Sequence, residues 1–257
     1  MSSVSSKLIE YERYNKRSEE NLKKLNSENI HLRLGVKSLP KFLQPPYIKY
    51  EELIRQNSTP GKVLLDVCCG DGMHSLAGVG RGVEIYVSDI SEKSVKLIVN
   101  KAKLLGYELH GIVADAEKLP FSDNSFDIIT CAGSLSYVDL NAFMNEVDRI
   151  LSPGGVFICV DSFNHNPIYS FNRFIHFLRG NRTYSTLKRM PNLKTIHFLE
   201  NKYNNIEINY FGIFIFLVPF FKLFISTYNI TLMLNKLDQY FHKLNRYAFK
   251  VVIKVVK

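Results

Sequence analysis

Short apolar runs that end in an acid or in small residues alternate with amphipathic stretches through the middle of the chain. Val63-Leu64-Leu65-Asp66-Val67 runs into Cys68-Cys69-Gly70-Asp71-Gly72. Val83-Glu84-Ile85-Tyr86-Val87-Ser88-Asp89 and Gly111-Ile112-Val113-Ala114-Asp115-Ala116 also close on acids. A fourth run leads through Ile128-Ile129 to Cys131-Ala132-Gly133, and residues 156–161 form a fifth. Near-continuous apolar runs of this length mark strands covered on both faces, as in a parallel sheet. Between them the period becomes helical. Ser91 caps a stretch to Gly106 with Val95, Ile98, Val99, Ala102 and Leu105 on one face, and 140–151 is a second helix, stopped by Pro153-Gly154-Gly155. Alternating strand and helix predict an α/β fold with a doubly wound parallel sheet and right-handed crossovers.

The flanks differ. Residues 3 to about 30 are charged, lack Gly and Pro, and carry Val4, Leu8, Tyr11 and Tyr14 at helical spacing, which predicts a helix with one apolar stripe. Leu39-Pro40 and Pro45-Pro46 punctuate a connector, and 47–56 reads as a short helix before the first strand. The chain therefore divides into a helical cap, 1–58, and an α/β domain, 59–257, whose segment 163–245 departs from the alternating pattern and holds an insert. Asn164-His165-Asn166-Pro167 is a turn, 168–178 a helix, and 179–192 basic and irregular. Segments 206–210 and 248–256 predict an antiparallel closing hairpin split by a long insert. Within it, 210–221 is apolar apart from Gly212 and Pro219, and shorter than the ~18–20 residues of a membrane span. Core packing is the simpler reading. A peripheral membrane contact through 210–245 is the sharper one, since Lys222, Lys236, Lys243 and Arg246 flank the run.

Composition bounds the rest. With 257 residues and 46% hydrophobic content, one α/β domain can bury a substantial core. Cys68, Cys69, Cys131 and Cys159 show no zinc or disulfide spacing, so no metal is expected and a reducing compartment is; the polar N-terminus is no signal peptide, and a cytoplasmic protein follows. Residues 1–162 carry 19 Lys and Arg against 21 Asp and Glu, whereas 163–257 carry 14 against 3. The first part is near neutral and the tail is strongly basic. Such a tail favours an anionic small molecule or surface; a solvated basic face is the bland alternative. No aromatic-basic stacking motif points to nucleic acid.

The turn after the first strand narrows the chemistry. Glycines let backbone approach a ligand, and a helix N-terminus is electropositive. A pyrophosphate turn wants a neutral strand end and a third small residue for the phosphate loop. Asp66 instead places a carboxylate there and Ser75 replaces the third glycine. That combination disfavours a dinucleotide and suits a ligand with a cationic end and an adenosine end.

Asp66-x-x-x-Gly70-x-Gly72 resembles the first motif of class I S-adenosylmethionine (SAM) dependent methyltransferases. The resemblance continues in order through Asp89, Asp115-Ala116, the Leu119-Pro120-Phe121-Ser122-Asp123-Asn124-Ser125-Phe126-Asp127 stretch of the ubiquinone-methyltransferase-like subgroup, and Arg149-Ile150-Leu151-Ser152-Pro153-Gly154-Gly155. Five motifs cover residues 60 to 162. The resemblance implies a Rossmann-like seven-stranded sheet with an antiparallel last strand, an N-terminal helical lid and a helical insert before that strand. It implies SAM as cofactor: its methionine part at Asp66, Gly70 and Gly72, its ribose at Asp89 with Ile90 beside it, and its adenine at Asp115 and Ala116. Cys131 ends the fourth strand where backbone lines the cofactor, and Tyr11 and Tyr14 stand ready to close over it.

Acceptor chemistry belongs at the strands' carboxyl ends. There His165 is a candidate general base oriented by Asp161, and Tyr137 a candidate to orient the acceptor. Arg173, Arg182, Lys188 and Arg189 are candidates for an acceptor phosphate. The stretch from Asp161 to Tyr169, with 182–191, is similar to bacterial methyltransferases of surface-polysaccharide clusters. The expected function is methyl transfer to a hydroxyl or amine of a small acceptor, a phosphorylated or lipid-linked sugar. The alternatives are an acceptor that is a quinone or other apolar metabolite, and a non-catalytic SAM-binding scaffold.

Overall fold

The computed structural model describes residues 3–25, 34–179 and 183–257. Seven strands form one sheet: β1 (Val63–Val67), β2 (Glu84–Asp89), β3 (His110–Val113), β4 (Phe126–Ala132), β5 (Leu151–Ser162), β6 (Asn205–Phe211) and β7 (Lys250–Val256), in the order β3-β2-β1-β4-β5-β7-β6. Every pairing from β3 across to β5 is parallel. β7 runs antiparallel to both β5 and β6, so the expected α/β architecture with an antiparallel last strand is the one observed. Strand order reverses at β1, between β2 and β4, and such a switch point opens a crevice at the carboxyl edge of the sheet.

Adjacent strand residues serve opposite faces. Leu64, Ile128 and Ile158 pack under Tyr50, Leu53 and Ile54 of α2 (Gln44–Asn57) and Ile98 and Ala102 of α3 (Glu92–Leu104). Leu65, Ile129, Phe157 and Cys159 pack under Phe143, Met144, Val147 and Ile150 of α4 (Leu140–Ile150), joined by Ile196 and Leu199. This two-sided burial is why the strands read as continuous apolar runs. Helices α3 and α4 start at built caps: Ser91 accepts from Ser94 N–H and Asp139 from Asn141 and Ala142 N–H.

The N-terminal helix α1 is described as Ser3–Leu25; residues 26–30 of the predicted helix lie outside the described residues. The connector prolines are displaced in role. Pro45 and Pro46 lie in the first turn of α2, where a missing N–H leaves no intrahelical bond unmade. After α5 (Pro167–Leu178), the stretch expected to be irregular contains α6 (Tyr184–Lys188), capped by Thr183. A further unpredicted helix, α7 (Leu193–Lys202), starts at a capping box between Asn192 and Thr195. The insert between β6 and β7 holds α8 (Val218–Phe221) and α9 (Thr227–Tyr240). Val218, Ile230 and Leu234 form a small core of their own with Phe42 and Phe214, so part of the apolar insert is buried as the simpler reading held. Leu223 and Phe224 between the two helices are 80% and 83% exposed. No described helix is long and apolar enough to cross a membrane.

Candidate cofactor and acceptor site

β1 ends in a chain reversal with Cys68, Gly70 and Gly72 all in the left-handed region. Gly72 is required by contact as well as conformation: a Cβ there would lie 2.2 Å from Ile98 Cδ1 of α3. The turn is thus drawn tight against α3, and its backbone faces the crevice.

Asp66 is 4% exposed. Its Oδ1 accepts from Thr130 Oγ1 of β4 at 2.8 Å, and its Oδ2 from Ser75 Oγ. Burial pushes its pKa up, and the two hydroxyls pull against that shift. Asp89 is held likewise. Its Oδ2 accepts from Gly70 N–H and its Oδ1 from Ser91 N–H, both at 2.9 Å, while burial raises its pKa. One carboxylate therefore locks the glycine turn to the end of β2. Asp115 lies at the end of β3 and its Oδ2 accepts from Lys7 Nζ at 2.8 Å. Asp66 and Asp89, buried and disfavoured as anions, match an incoming cation.

These acids surround a cavity of about 240 Å³. Asp66, Gly70, Asp89, Ile90, Asp115, Ala116, Tyr11, Tyr14 and Tyr137 all line it. Gly72 and Cys131 do not. Gly72 is turned to α3, and Cys131 is a buried β4 residue in the core beneath the site, where Ala132 lines the cavity instead.

Helix α1 covers the cavity. Lys7 pairs with Asp115 and Glu117 at 2.8 Å each, Arg17 with Asp71 at 3.0 Å, and Ser18 meets the buried Ser94 of α3 at 2.9 Å. Ser91 Oγ donates to Asn15 Oδ1 at 2.7 Å. Tyr14 packs edge-on to Tyr137 with centroids 5.9 Å apart, and burial raises its hydroxyl pKa. With Tyr11 and Tyr47, these rings make an aromatic wall.

The expected pair of Asp161 and His165 is not assembled at the cavity. Asp161 is buried, with its carboxylate accepting from Leu135 N–H at 2.8 Å and Ser162 N–H at 2.6 Å. It ties the loop after β4 to β5; burial raises its pKa against the pull of Lys250 and Arg173. His165 stacks on Tyr247 at 5.6 Å and does not line the cavity. The proposed phosphate cluster is dispersed as well. Arg173 is buried and donates to Phe163 O at 2.8 Å and Asn164 Oδ1 at 3.0 Å. Lys188 and Arg189 are not in the cavity wall, and Arg182 lies outside the described residues.

Glu10, Lys7, Arg17, Tyr47 and His74 line the cavity and were not singled out from the sequence, or only as helix residues. Of these His74 lies nearest a motif, two residues past Gly72, but its partner is distant in sequence. Its Nδ1 lies 2.8 Å from Glu51 Oε1 of α2, and its ring stacks on Tyr47 at 4.8 Å and 9°.

Residues 65–159 match the family described as a methyltransferase domain. The chain is 34% identical over 128 residues to a demethylmenaquinone methyltransferase of Geobacillus stearothermophilus, covering 48% of this chain and 54% of that one. It is 39% identical over 93 residues to the mitochondrial 2-methoxy-6-polyprenyl-1,4-benzoquinol methylase of Bos taurus, covering 35% and 28%. The chain thus spans little more than half the length of the first curated relatives it matches. Its fold is that of a SAM-dependent methyltransferase from Aquifex aeolicus, with a TM-score of 0.52 at 15% identity over 86% of this chain and 96% of that one. The match to a methyltransferase domain thus falls on residues 65–159, which hold the strand ends around the cavity, and the fold is shared with that structure.

Proposed function

We propose that the chain transfers a methyl group from SAM to a hydroxyl of an aromatic, apolar acceptor carried in or on a membrane. The observation that carries the cofactor half is the ring of carboxylates at three consecutive strand ends, Asp66, Asp89 and Asp115, around one cavity. When bound, SAM supplies a methyl group on a cationic sulfur that takes up the bonding pair. Asp66 and the Gly70 turn would hold its methionine part and Asp89 its ribose. Asp115 would hold its adenine once Lys7 yields. Helix α1 excludes water, which strengthens every charge interaction beneath it.

The acceptor half rests on the aromatic part of the same lining. Tyr11, Tyr14, Tyr47 and Tyr137 supply flat apolar surface, and the described cations of the wall, Lys7 and Arg17, are already paired with acids. That lining favours the apolar acceptor over the phosphorylated sugar, and both relatives named above are by their names methyltransferases of quinone-type compounds. Topology adds access. β6 points the same way as β5, so the insert leaves and rejoins the sheet at its carboxyl edge, the edge at which the cavity lies. The basic tail remains the support for a lipid-linked sugar, which shares the need for a lipid surface.

The test is mass spectrometry of 1,4-naphthoquinol and of an undecaprenyl-phosphate sugar, each incubated with the protein and SAM. A methyl gain on the quinol supports the reading. A gain on the sugar alone moves the acceptor to the other class, and no turnover of either with SAM bound favours a scaffold.

A further inference from the structure

His74 is 7% exposed, yet it stands in the cavity wall. Cofactor binding as laid out above makes no use of it. Its Nδ1 faces Glu51 Oε1 at 2.8 Å, and Glu51 Oε2 accepts from Arg55 at 3.2 Å. Burial works against the Glu51 charge, but the bonds from His74 and Arg55 outweigh it and hold the carboxyl below its ordinary range. An ionised carboxylate can only accept, so a ring proton sits on Nδ1, and in the neutral ring the lone pair is left on Nε2. Nε2 is buried and has no hydrogen-bond partner. The ring cannot swing to find one easily: Tyr47 stacks on its face, and Tyr50 meets it edge-on at 5.7 Å and 89°.

The groups facing the ring are Glu51, Tyr47 and Tyr50 from α2, with Asp66 of β1 nearby. Arg55 stands behind Glu51, and Lys250 of β7 lies 5.1 Å from the far ring of Tyr47. This is a ring oriented by a carboxylate through one nitrogen, with its other nitrogen buried and unpaired, on a residue that lines the cavity. Those are the parts of a positioned base.

We propose that His74 accepts the proton of the acceptor hydroxyl, with Glu51 as its positioning residue; the proposal rests on the methyl-transfer reading above. The acceptor O–H bond breaks and its proton goes to Nε2. The freed oxygen pair forms the bond to the methyl carbon, the carbon–sulfur bond breaks, and its electron pair stays on sulfur. The products are the methyl ether, neutral S-adenosylhomocysteine and an imidazolium facing Glu51, which returns its proton to solvent when the site opens.

The experiment is single-turnover transfer to 1,4-naphthoquinol at saturating SAM across pH, with SAM affinity measured separately by calorimetry. His74→Gln should cut transfer about a hundredfold or more. It should also remove the acid limb of the rate–pH profile while leaving SAM affinity nearly intact. Glu51→Gln should cost less and displace that limb, which a purely structural contact would not do. An unchanged rate and profile in His74→Gln overturns the proposal. So does a lost SAM affinity with full transfer at saturation, or a larger loss in His165→Ala. A second readout needs no acceptor: imidazole ¹⁵N spectra of the wild-type complex with S-adenosylhomocysteine, assigned by difference from His74→Gln. A bare Nε2 is required, and a protonated Nε2 at neutral pH rejects the base. If the wild type leaves the quinol unmethylated, the acceptor reading fails, and these spectra alone decide the state of His74.

Discussion

At the scale of single residues, the site is defined by what burial does to its acids. Asp66 and Asp89 are pushed up in pKa chiefly by desolvation. An acid raised in the folded state stabilises the fold only while it is protonated. That contribution is present below the ordinary carboxylate range and is lost as pH rises through the raised values. A bound cation reverses the pull by favouring the anion. SAM binding should therefore release protons on the acid side of neutrality, and affinity should rise with pH over that range. Calorimetry in buffers of different ionisation enthalpy measures the release, and Asp66→Asn should diminish it. The same substitution should weaken SAM by about tenfold or more, since a hydrogen bond to a charged group is worth about 1.5–3 kcal/mol. Asp115→Asn should cost less, because its side chain is 40% exposed and already paired with Lys7. Equal losses at the two positions would mean that burial does not set the ranking. Asp66 and Asp89 were legible because each ends an apolar run. His74 was not, because its meaning lies in Glu51, a partner on α2 that no local pattern connects to the glycine turn.

At the scale of elements, legibility followed burial. Strands β1, β2, β4 and β5 and helices α3 and α4 announce themselves through apolar patterns, the helices sealed by caps, whereas the exposed edge strand β3 was placed by the acid that follows it. α6 and α7 are short and mostly polar; the signal present for α7 was the Asn192-x-x-Thr195 box, which a reading tuned to apolar periodicity passes over. β5 starts at Leu151 because the register shifts between Phe126 and Ile128 of β4, and Pro153-Gly154-Gly155 is carried inside the strand rather than ahead of it. The helix α1 was foreseen as a stripe, but its seat was set by charge. Lys7 and Arg17 are partly exposed, and pairs of this kind contribute about 0–1 kcal/mol. They are weak as stabilisers and well placed as latches. Replacing both, Lys7→Ala with Arg17→Ala, should leave the melting temperature within a few degrees, at roughly 2–4 °C per kcal/mol for a chain of this length. It should also speed release of S-adenosylhomocysteine in stopped-flow several-fold. A large fall in melting temperature with unchanged release would make α1 a structural brace rather than a lid.

At the scale of the whole molecule, charge and apolar exposure coincide on one part of the chain. Residues 163–257 hold 14 of the basic residues against 3 acids. The same part exposes Phe171 and Leu178 of α5, Phe220 of α8, Leu223 and Phe224, and Tyr228 and Tyr240 of α9. α5 begins at the carboxyl end of β5, and the insert departs from the carboxyl end of β6, so both belong to the edge that holds the cavity. Large apolar side chains this exposed are uncommon unless something covers them. An anionic bilayer fits on both counts: apolar tips enter the interface, and each nearby Lys or Arg adds about 1 kcal/mol. It would also deliver a lipid-borne acceptor to the tyrosine wall. The protein should therefore co-sediment with vesicles containing phosphatidylglycerol more than with neutral phosphatidylcholine vesicles, and less at high salt, where surface charge is screened. Leu223→Ser with Phe224→Ser should reduce binding without altering SAM affinity, because neither residue lines the cavity. Salt-sensitive binding that survives the double substitution would place the contact on α5 instead. Absence of binding to either vesicle would remove the membrane from the proposal and leave a soluble acceptor.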